Sequence, residues 1–465
     1  MVGTVYKTRR GCAVAIWADE IRALLTLAGP LVATQLAQIA MMTTDVVMLG
    51  RLGKEALAGS ALGLTIFYFA WQIGMGPAVA VSPMIAQILG KNPRDTAAVR
   101  AVVRMGFWAV LLVCLPLCLV LFWTEPLLLF FAQQPGLAQA AGRFVLPLCL
   151  GLPLSLGYQV LRNFATALSR PKAPLWVMAA AIPMNALFDY ALIFGHFGFP
   201  RLGLIGSGIA STCSFGFSFL AMTAVVLIAP EFRRFRVFRR LHRPHMGTFT
   251  ELVRLGIPIG LTMVFETMLF NAATLLMGTF GTAAVAAHQI AMNVSTLTFM
   301  VPLGVGMAAT VRVGLAAGAG DRKGVRRAGY AALGLSAAFM SLCALAIVLL
   351  HGTIARLYFS AGSAANADAV ALASTLLLVV AAYQVFDGLQ VTTALVLRGL
   401  KDTRMPMWIA AVSYWLFGFP TSFGLSVWAG MRGLGVWLGL AFALFLAATS
   451  LSGRFYLLSR DRQER

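Results

Sequence analysis

The sequence predicts an all-α polytopic membrane protein with twelve transmembrane helices in two parallel-repeat bundles of six. Three observations predict this fold class. Hydrophobic residues make up 60% of the 465-residue chain and charged residues only 11%, whereas a soluble domain has about 25% charged residues. Apolar runs long enough to cross about 30 Å of hydrocarbon recur along the chain. Basic residues are concentrated between alternate runs. A soluble enzyme, a disulfide scaffold and a disordered chain are therefore excluded.

Twelve apolar runs predict the individual spans. They are continuous rather than alternating in polarity, so they predict helices, which satisfy their own backbone hydrogen bonds in lipid. Several are longer than the bilayer is thick, and we expect these to tilt, bend or extend beyond it. The first is interpreted as an uncleaved anchor rather than a signal peptide. The runs cover residues 24–49, 58–89, 102–122, 140–168, 174–195, 203–229, 253–279, 284–318, 328–350, 366–397, 406–426 and 433–457.

Lys and Arg residues predict the orientation of these spans. When the N-terminus is assigned to the cytoplasm, all but six of the 36 basic residues fall on the inner side. This bias supports an even number of spans with both termini cytoplasmic. It also accounts for the net charge of +20 through topology and attraction to anionic lipid, so we expect no nucleic-acid partner. The six outer residues are Arg51, Lys54, Arg143, Arg201, Arg356 and Arg432.

The two halves of the chain resemble each other on either side of the basic stretch Glu231–His245. Pro30 near the start of the first half corresponds to Pro258 in the second, and Trp176 corresponds to Trp408. Because each half has an even number of spans, the repeats are predicted to be parallel, an arrangement found in transporters. We divide the chain into an N-terminal segment 1–23, a first lobe 24–230, a basic linker 231–250, a second lobe 251–457 and a tail 458–465.

Four acidic residues lie deep inside predicted spans, where an ionisable side chain costs roughly 2.5–3.5 kcal/mol to insert. We place no Lys or Arg at a matching depth. Neighbouring polar side chains share helical faces with three of these acids, at spacings of four or seven residues. The acids are Asp45, Asp189, Glu266 and Asp387, and the neighbours are Gln38, Asn185 and Tyr383.

A membrane-embedded carboxylate predicts cation exchange. An unpaired carboxylate resists ionisation in a low dielectric, so it can take up a proton, bind Na⁺ or face an organic cation. These partners compete for one negative charge, and the entry of one can release another. The alternative for any single acid is a structural role in which it is only hydrogen-bonded. This alternative applies most readily to Asp189, which lies nearest the outer loop. His288 is interpreted as a packing residue more readily than as a substrate contact.

Motifs of soluble catalysis are missing from the sequence. There is no phosphate-binding loop of the form G-x-x-x-x-G-K-[ST] and no H-E-x-x-H pair. No Gly-x-Ser-x-Gly with partners at depth occurs either. We therefore expect neither an enzyme nor a resident cofactor.

Motifs spread over residues 22–457 resemble the multidrug and toxic compound extrusion (MATE) family, in its NorM-like bacterial form. The resemblance implies a twelve-helix fold with two V-shaped lobes and a large central cavity. It also implies export of cationic, often aromatic drugs in exchange for Na⁺ or H⁺. The motifs are Gly29-Pro30, Thr44-Asp45, Met48-Leu49-Gly50, Arg170-Pro171, Asn185 with Asp189-Tyr190, Gly256 with Pro258, Glu266, Ala287-His288-Gln289-Ile290, Tyr383-Gln384, Asp387-Gly388 and Arg398-Gly399.

The resemblance also implies roles for individual residues. Cation binding, with Na⁺ as the metal ion, falls on Glu266 and Asp387, with Tyr383 alongside. Proton or cation coupling and drug release fall on Asp45, with Asn185 and Asp189 nearby. We expect substrate contacts from Gln38, Asp45 and Gln289. The coupling ion stays open between Na⁺ and H⁺, and we expect a monomer in the bacterial inner membrane.

Two other classes of protein compete with this interpretation. A flippase for lipids or lipid-linked oligosaccharides, of the same broad superfamily, would carry phosphates and would need a cavity rich in Arg or Lys. The charges at depth are acidic here, which favours cationic cargo. A membrane scaffold or receptor that transports nothing would not need buried acids in both repeats.

Overall fold

The computed structural model describes residues 13–358 and 367–460, and in these two ranges the chain is helical, without strands. Eleven of the described helices are long and apolar enough to cross a membrane, in agreement with the predicted all-α polytopic fold. The α-helices are α1 Ala13–Gly50, α2 Lys54–Lys91, α3 Thr96–Phe122, α4 Thr124–Phe130, α5 Pro135–Ala167, α6 Lys172–Phe194, α7 Gly203–Ile228, α8 Pro230–Arg233, α9 Met246–Gly278, α10 Thr282–Gly318, α11 Arg322–Leu357, α12 Ala367–Gly399, α13 Arg404–Ala411, α14 Phe419–Phe423 and α15 Arg432–Ser459.

The predicted span at 406–426 differs from the other eleven because it is not one regular α-helix. Two π-helical segments, Val412–Gly418 and Gly424–Trp428, alternate with α13 and α14 without a break. Pro420 lies in the first turn of α14 and removes one backbone donor from the ladder. The twelfth predicted span is thus a continuous but irregular helical stretch, and local changes of this kind often accompany functional sites.

Contacts divide the chain into two compact units. The first unit is Ala33–Leu261, and the second unit is Thr262–Arg465 together with Met1–Val32. The division falls inside α1 and inside α9 rather than at the linker 231–250. The units therefore differ from the lobes drawn at 24–230 and 251–457, because the opening parts of α1 and α9 change sides and the linker belongs to the first unit.

The opening parts of α9 and α1 pack closely against helices of the units to which they belong. In the first unit, α2 and α9 approach at Gly76 and Gly256, where a Cβ on Gly256 would lie 2.7 Å from the backbone nitrogen of Pro77. In the second unit, a Cβ on Gly304 of α10 would lie 3.0 Å from the backbone nitrogen of Val32 in α1. Hydropathy along the chain carries no information on such pairing.

The second unit is also fixed by small residues and by one buried ion pair. Thr310 of α10 donates to the carbonyl of Leu395 in α12 at 2.7 Å, a close approach typical of membrane helices that pack through small side chains. The guanidinium of Arg312 donates to both carboxylate oxygens of Glu20 at 2.8 and 2.7 Å. Arg312 thereby ties α10 to the beginning of α1.

Candidate functional site

The first unit brings together three of the predicted residues. Asn185 and Asp189, one turn apart on α6, are both completely buried. Asp45, on α1, is half-buried, and its carboxylate interacts with the side chains of both. The hydroxyl group of Tyr68, on α2, interacts electrostatically with the carboxylate of Asp45. A carboxylate pair flanked by an amide therefore forms between α1 and α6.

The polar atoms of this cluster are poorly satisfied. One carboxylate oxygen of Asp45, both carboxylate oxygens of Asp189, and both amide atoms of Asn185 are buried without a well-formed hydrogen bond to the described part of the chain. Buried polar groups in proteins nearly always have a partner. The predicted neighbour Gln38 is half-buried on α1, two turns before Asp45.

The second unit brings together Glu266 from α9 and Asp387 from α12. Asp387 is buried, Glu266 is half-buried, and their charges interact. Tyr383, one turn before Asp387, places its hydroxyl oxygen 2.9 Å from that of Ser295 on α10. Its ring stacks on Trp437, with the ring centroids 6.0 Å apart. Two carboxylates and a fixed phenol thus share one region of this unit.

Two further polar residues of the second unit had no role assigned from the sequence, where Gln384 was named only as part of a motif. Gln384 is completely buried, and neither amide atom has a partner in the described ranges. Tyr414, also completely buried, lies in the first π-helical segment, and its hydroxyl group is close enough to interact with both Glu266 and Asp387. The sequence drew attention to amides and phenols only where they share a helical face with an acid, and Tyr414 lies on a different helical stretch from both acids.

The expectation that no basic residue lies near these acids is wrong for the second unit. Arg398, near the end of α12, interacts electrostatically with Glu266. Its place at the end of an apolar run predicted an inner connection, whereas a long side chain can extend from a helix end toward the interior. Ion pairs among the described residues nevertheless include those of other acids, such as Glu20, Glu231, Asp321 and Asp402.

A second arginine of the inner set is also buried. Arg162, on α5 of the first unit, is 3% exposed. One guanidinium nitrogen donates to the side-chain oxygen of Gln159 at 3.2 Å, and another donates to that of Gln35 on α1. Its charge is therefore held by amide oxygens rather than by a carboxylate in these contacts.

His288 and Gln289 are adjacent on α10 but differ sharply in environment. His288 is completely buried, with Nε2 2.9 Å from the hydroxyl group of Thr274 and its ring edge-on to Trp437. These contacts support the packing interpretation of His288. Gln289 is exposed, and its proposed contact with substrate stays a prediction.

The chemistry available in both units is that of oxygen ligands. Within residues 13–358 and 367–460 no group of three or more His, Cys, Asp or Glu side chains could hold a metal ion. A carboxylate pair with nearby phenol and amide oxygens instead suits a proton or a hard monovalent cation, because such ions prefer oxygen donors.

The fold and these two clusters define a polytopic all-α membrane protein that carries paired acids among the helices of each of its two units. The chain belongs to the MatE family, whose family model matches residues 30–191 and 258–423. The two matched segments lie in the two halves that the sequence motifs relate to each other.

Curated relatives and solved structures agree with this assignment. A protein of Mesorhizobium japonicum named "Probable multidrug resistance protein NorM" is 43% identical, over 96% of this chain and 95% of its own. A protein of the same name from Bradyrhizobium diazoefficiens is 42% identical, over 95% and 94%. The crystal structure of the eukaryotic MATE transporter AtDTX14 superposes with a TM-score of 0.84, at 22% identity, over 95% of this chain and 96% of its own.

Proposed function

We propose that the protein is a secondary active antiporter that exports organic cations, including several classes of drug, in exchange for Na⁺ or H⁺. The observation that carries the proposal is the pair of embedded acids in each unit, none of which forms an ion pair with the described basic residues. An acid that forms no ion pair within the protein is available to a transported or coupling cation. The curated relatives, named as multidrug resistance proteins, support the same activity.

Coupling follows from competition for the same negative charge. In the second unit, Glu266 and Asp387 with the phenol of Tyr383 would bind the coupling ion, and their oxygen atoms suit Na⁺. In the first unit, Asp45 and Asp189 beside Asn185 would take up a proton or a cation and thereby release the drug. No resident cofactor takes part in this scheme.

The substrate would be a small organic cation with an apolar body. We propose that Asp45 attracts its charge and that Gln38 and Gln289 contact its polar groups. Gln289 is exposed and Gln38 is half-buried, so neither side chain is enclosed by the rest of the protein. The partners we propose are therefore small molecules and membrane lipid.

We place the protein in the bacterial inner membrane as a multi-pass monomer with both termini in the cytoplasm. The concentration of Lys and Arg on one side supports this orientation. Its relatives come from bacteria.

A lipid flippase is the second candidate function. The observation in its favour is the pair Arg162 and Arg398, which lie within α5 and α12 rather than in loops. However, Arg162 already donates to two amide oxygens, and Arg398 lies near the charge of Glu266. Both arginines are thus partly compensated, and the acids outnumber them among the clustered groups.

Proteoliposomes loaded with ethidium provide the test. We expect efflux when a Na⁺ or a proton gradient is imposed separately, and the gradient that drives it identifies the coupling ion. Asp45→Asn and Glu266→Gln should each abolish driven efflux at normal protein levels. The matched controls Asp368→Asn and Glu55→Gln remove the same charges from exposed positions and should transport normally.

Two results would contradict the proposal. If Asp45→Asn and Glu266→Gln export ethidium at the wild-type rate, the acids do not couple transport. If the wild-type protein moves a fluorescent phospholipid between leaflets but exports no cation under either gradient, the flippase is the correct function.

A further inference from the structure

A cavity of about 580 Å³ lies between the beginning of α3 and the basic segment that follows α8. It belongs entirely to the first unit and is separate from the Asp45 cluster. Its volume lies within the range of about 300–1,000 Å³ that is typical of small-ligand sites. Five of its lining residues are arginines: Arg100, Arg104, Arg239, Arg240 and Arg243.

Three side-chain donors of α3 bind carbonyl groups of the basic segment. Arg100 donates to the carbonyl of Phe235 at 2.8 Å, and Arg104 donates to that of Arg240 at 3.2 Å. The indole of Trp108 donates to the carbonyl of Leu241 at 2.9 Å. All three acceptors are neutral backbone groups. The fold thus assembles the arginines without neutralising them, although like charges at short range repel one another.

The cavity offers little negative charge of its own. Among its described lining residues the acid is Asp95, whose carboxylate already accepts from the backbone of Ala98 at 2.9 Å to cap α3. Arg104 is 9% exposed, and its Nε has no partner in the described ranges. A buried, unsatisfied donor in a cationic cavity is well suited to an anion.

We propose that this cavity binds the phosphate group of an anionic membrane phospholipid. Two N–H groups of one guanidinium can donate to two oxygens of the same phosphate, which makes arginine a preferred residue for this anion. Basic pockets beside membrane helices, on the cytoplasmic side, bind anionic headgroups. The cavity lies in the most basic connection of the chain, on the face that we propose to be cytoplasmic.

An apolar border distinguishes a lipid from free phosphate as the ligand. Trp108 and Leu241 are 41% and 37% exposed beside the cavity. Tryptophan is enriched at the level of lipid headgroups because its ring is apolar and its N–H is polar. A lipid would place its phosphate among the arginines and its acyl chains along this border, whereas a soluble phosphate would not use the border.

The test is native mass spectrometry of the full-length, delipidated protein titrated with phosphatidylglycerol or phosphatidylcholine. Arg239→Gln with Arg243→Gln removes two exposed arginines of the cavity and should weaken phosphatidylglycerol binding roughly 10- to 30-fold. Arg243→Gln alone should give an intermediate loss. The control pair Arg233→Gln with Arg236→Gln makes the same charge change at the end of α8 and just after it, outside the cavity, and should bind as the wild type does.

A parallel titration with inorganic pyrophosphate separates the two sources of phosphate. Phosphatidylglycerol binding that depends on Arg239 and Arg243, together with weak pyrophosphate binding, supports the proposal. Equal lipid binding by both double variants overturns the site. Tight pyrophosphate binding without preference for phosphatidylglycerol over phosphatidylcholine overturns the assignment to a lipid.

Discussion

The hydroxyl oxygen of Tyr383 lies 2.9 Å from that of Ser295, and this contact links α12 to α10 beside the acid pair of the second unit. The bond fixes the direction of the phenol one turn before Asp387. If Tyr383 helps to bind the coupling ion, this bond determines where its oxygen atom is available.

Tyr383→Phe should therefore weaken ion-driven efflux by up to about tenfold, because one hydrogen-bonding oxygen contributes about 0.5–1.5 kcal/mol. The measurement is the dependence of ethidium efflux on Na⁺ or H⁺ concentration in proteoliposomes. Tyr456→Phe, on a half-exposed tyrosine of α15, is the control. An unchanged ion dependence in Tyr383→Phe would exclude the phenol from the ion site.

His288 and Gln289 should give opposite phenotypes. His288→Ala removes a completely buried ring that contacts Thr274 and Trp437, so we expect a lower melting temperature with an unchanged order of substrate preference. Gln289→Ala, at an exposed position, should leave the melting temperature unchanged and alter the apparent affinity for substrate. Thermal denaturation and dye competition measure the two effects, and an unaltered affinity in Gln289→Ala removes that residue from the substrate site.

The ion pair between Glu20 and Arg312 should stabilise the second unit. Both side chains are nearly buried, at 10% and 13% exposure. Arg312→Gln leaves a carboxylate without compensation and should cost about 3 kcal/mol, whereas the combined change with Glu20→Gln should recover much of this loss. Arg170→Gln breaks a pair whose side chains are about half-exposed and should cost less than about 1 kcal/mol. Denaturation in mild detergent measures the three variants, and equal losses in Arg312→Gln and Arg170→Gln would contradict the prediction.

Gly76→Ala should destabilise the first unit. The added Cβ meets the backbone of Gly256, which cannot rotate away as a side chain can, and such overpacking costs about 1–3 kcal/mol. Gly29→Ala is the matched control, because a Cβ at this helical glycine would have no heavy atom within 4 Å. A melting temperature equal to that of Gly29→Ala would show that α2 and α9 can separate at this point.

The helices could be predicted because each span must satisfy its own backbone in lipid, so hydropathy alone reveals it. The four acids stood out for the same reason, since charge inside a span is expensive. Spacing within a helix paired Asn185 with Asp189, one turn apart, whereas only the family resemblance placed them near Asp45. The structure brings Asp45 of α1 to both side chains.

The remaining features depend on contacts between distant segments. Ser295 and Tyr414 acquire their significance from helices that are far away in the chain. The position of Arg398 near Glu266 depends on how far a long side chain extends from a helix end, which residue spacing does not report. The assignment of the beginnings of α1 and α9 to different units depends on close contacts between glycines and the backbone of another helix. Hydropathy does not report such contacts.

The division of α1 and α9 has a consequence for biogenesis. The first unit includes residues up to Leu261, and the second includes residues up to Val32. Each unit therefore contains helical residues from both halves of the duplicated chain. When the first six predicted spans have been synthesised, the residues around Gly256 that pack against α2 are still missing. The first unit can complete its packing only after the beginning of α9 has been synthesised.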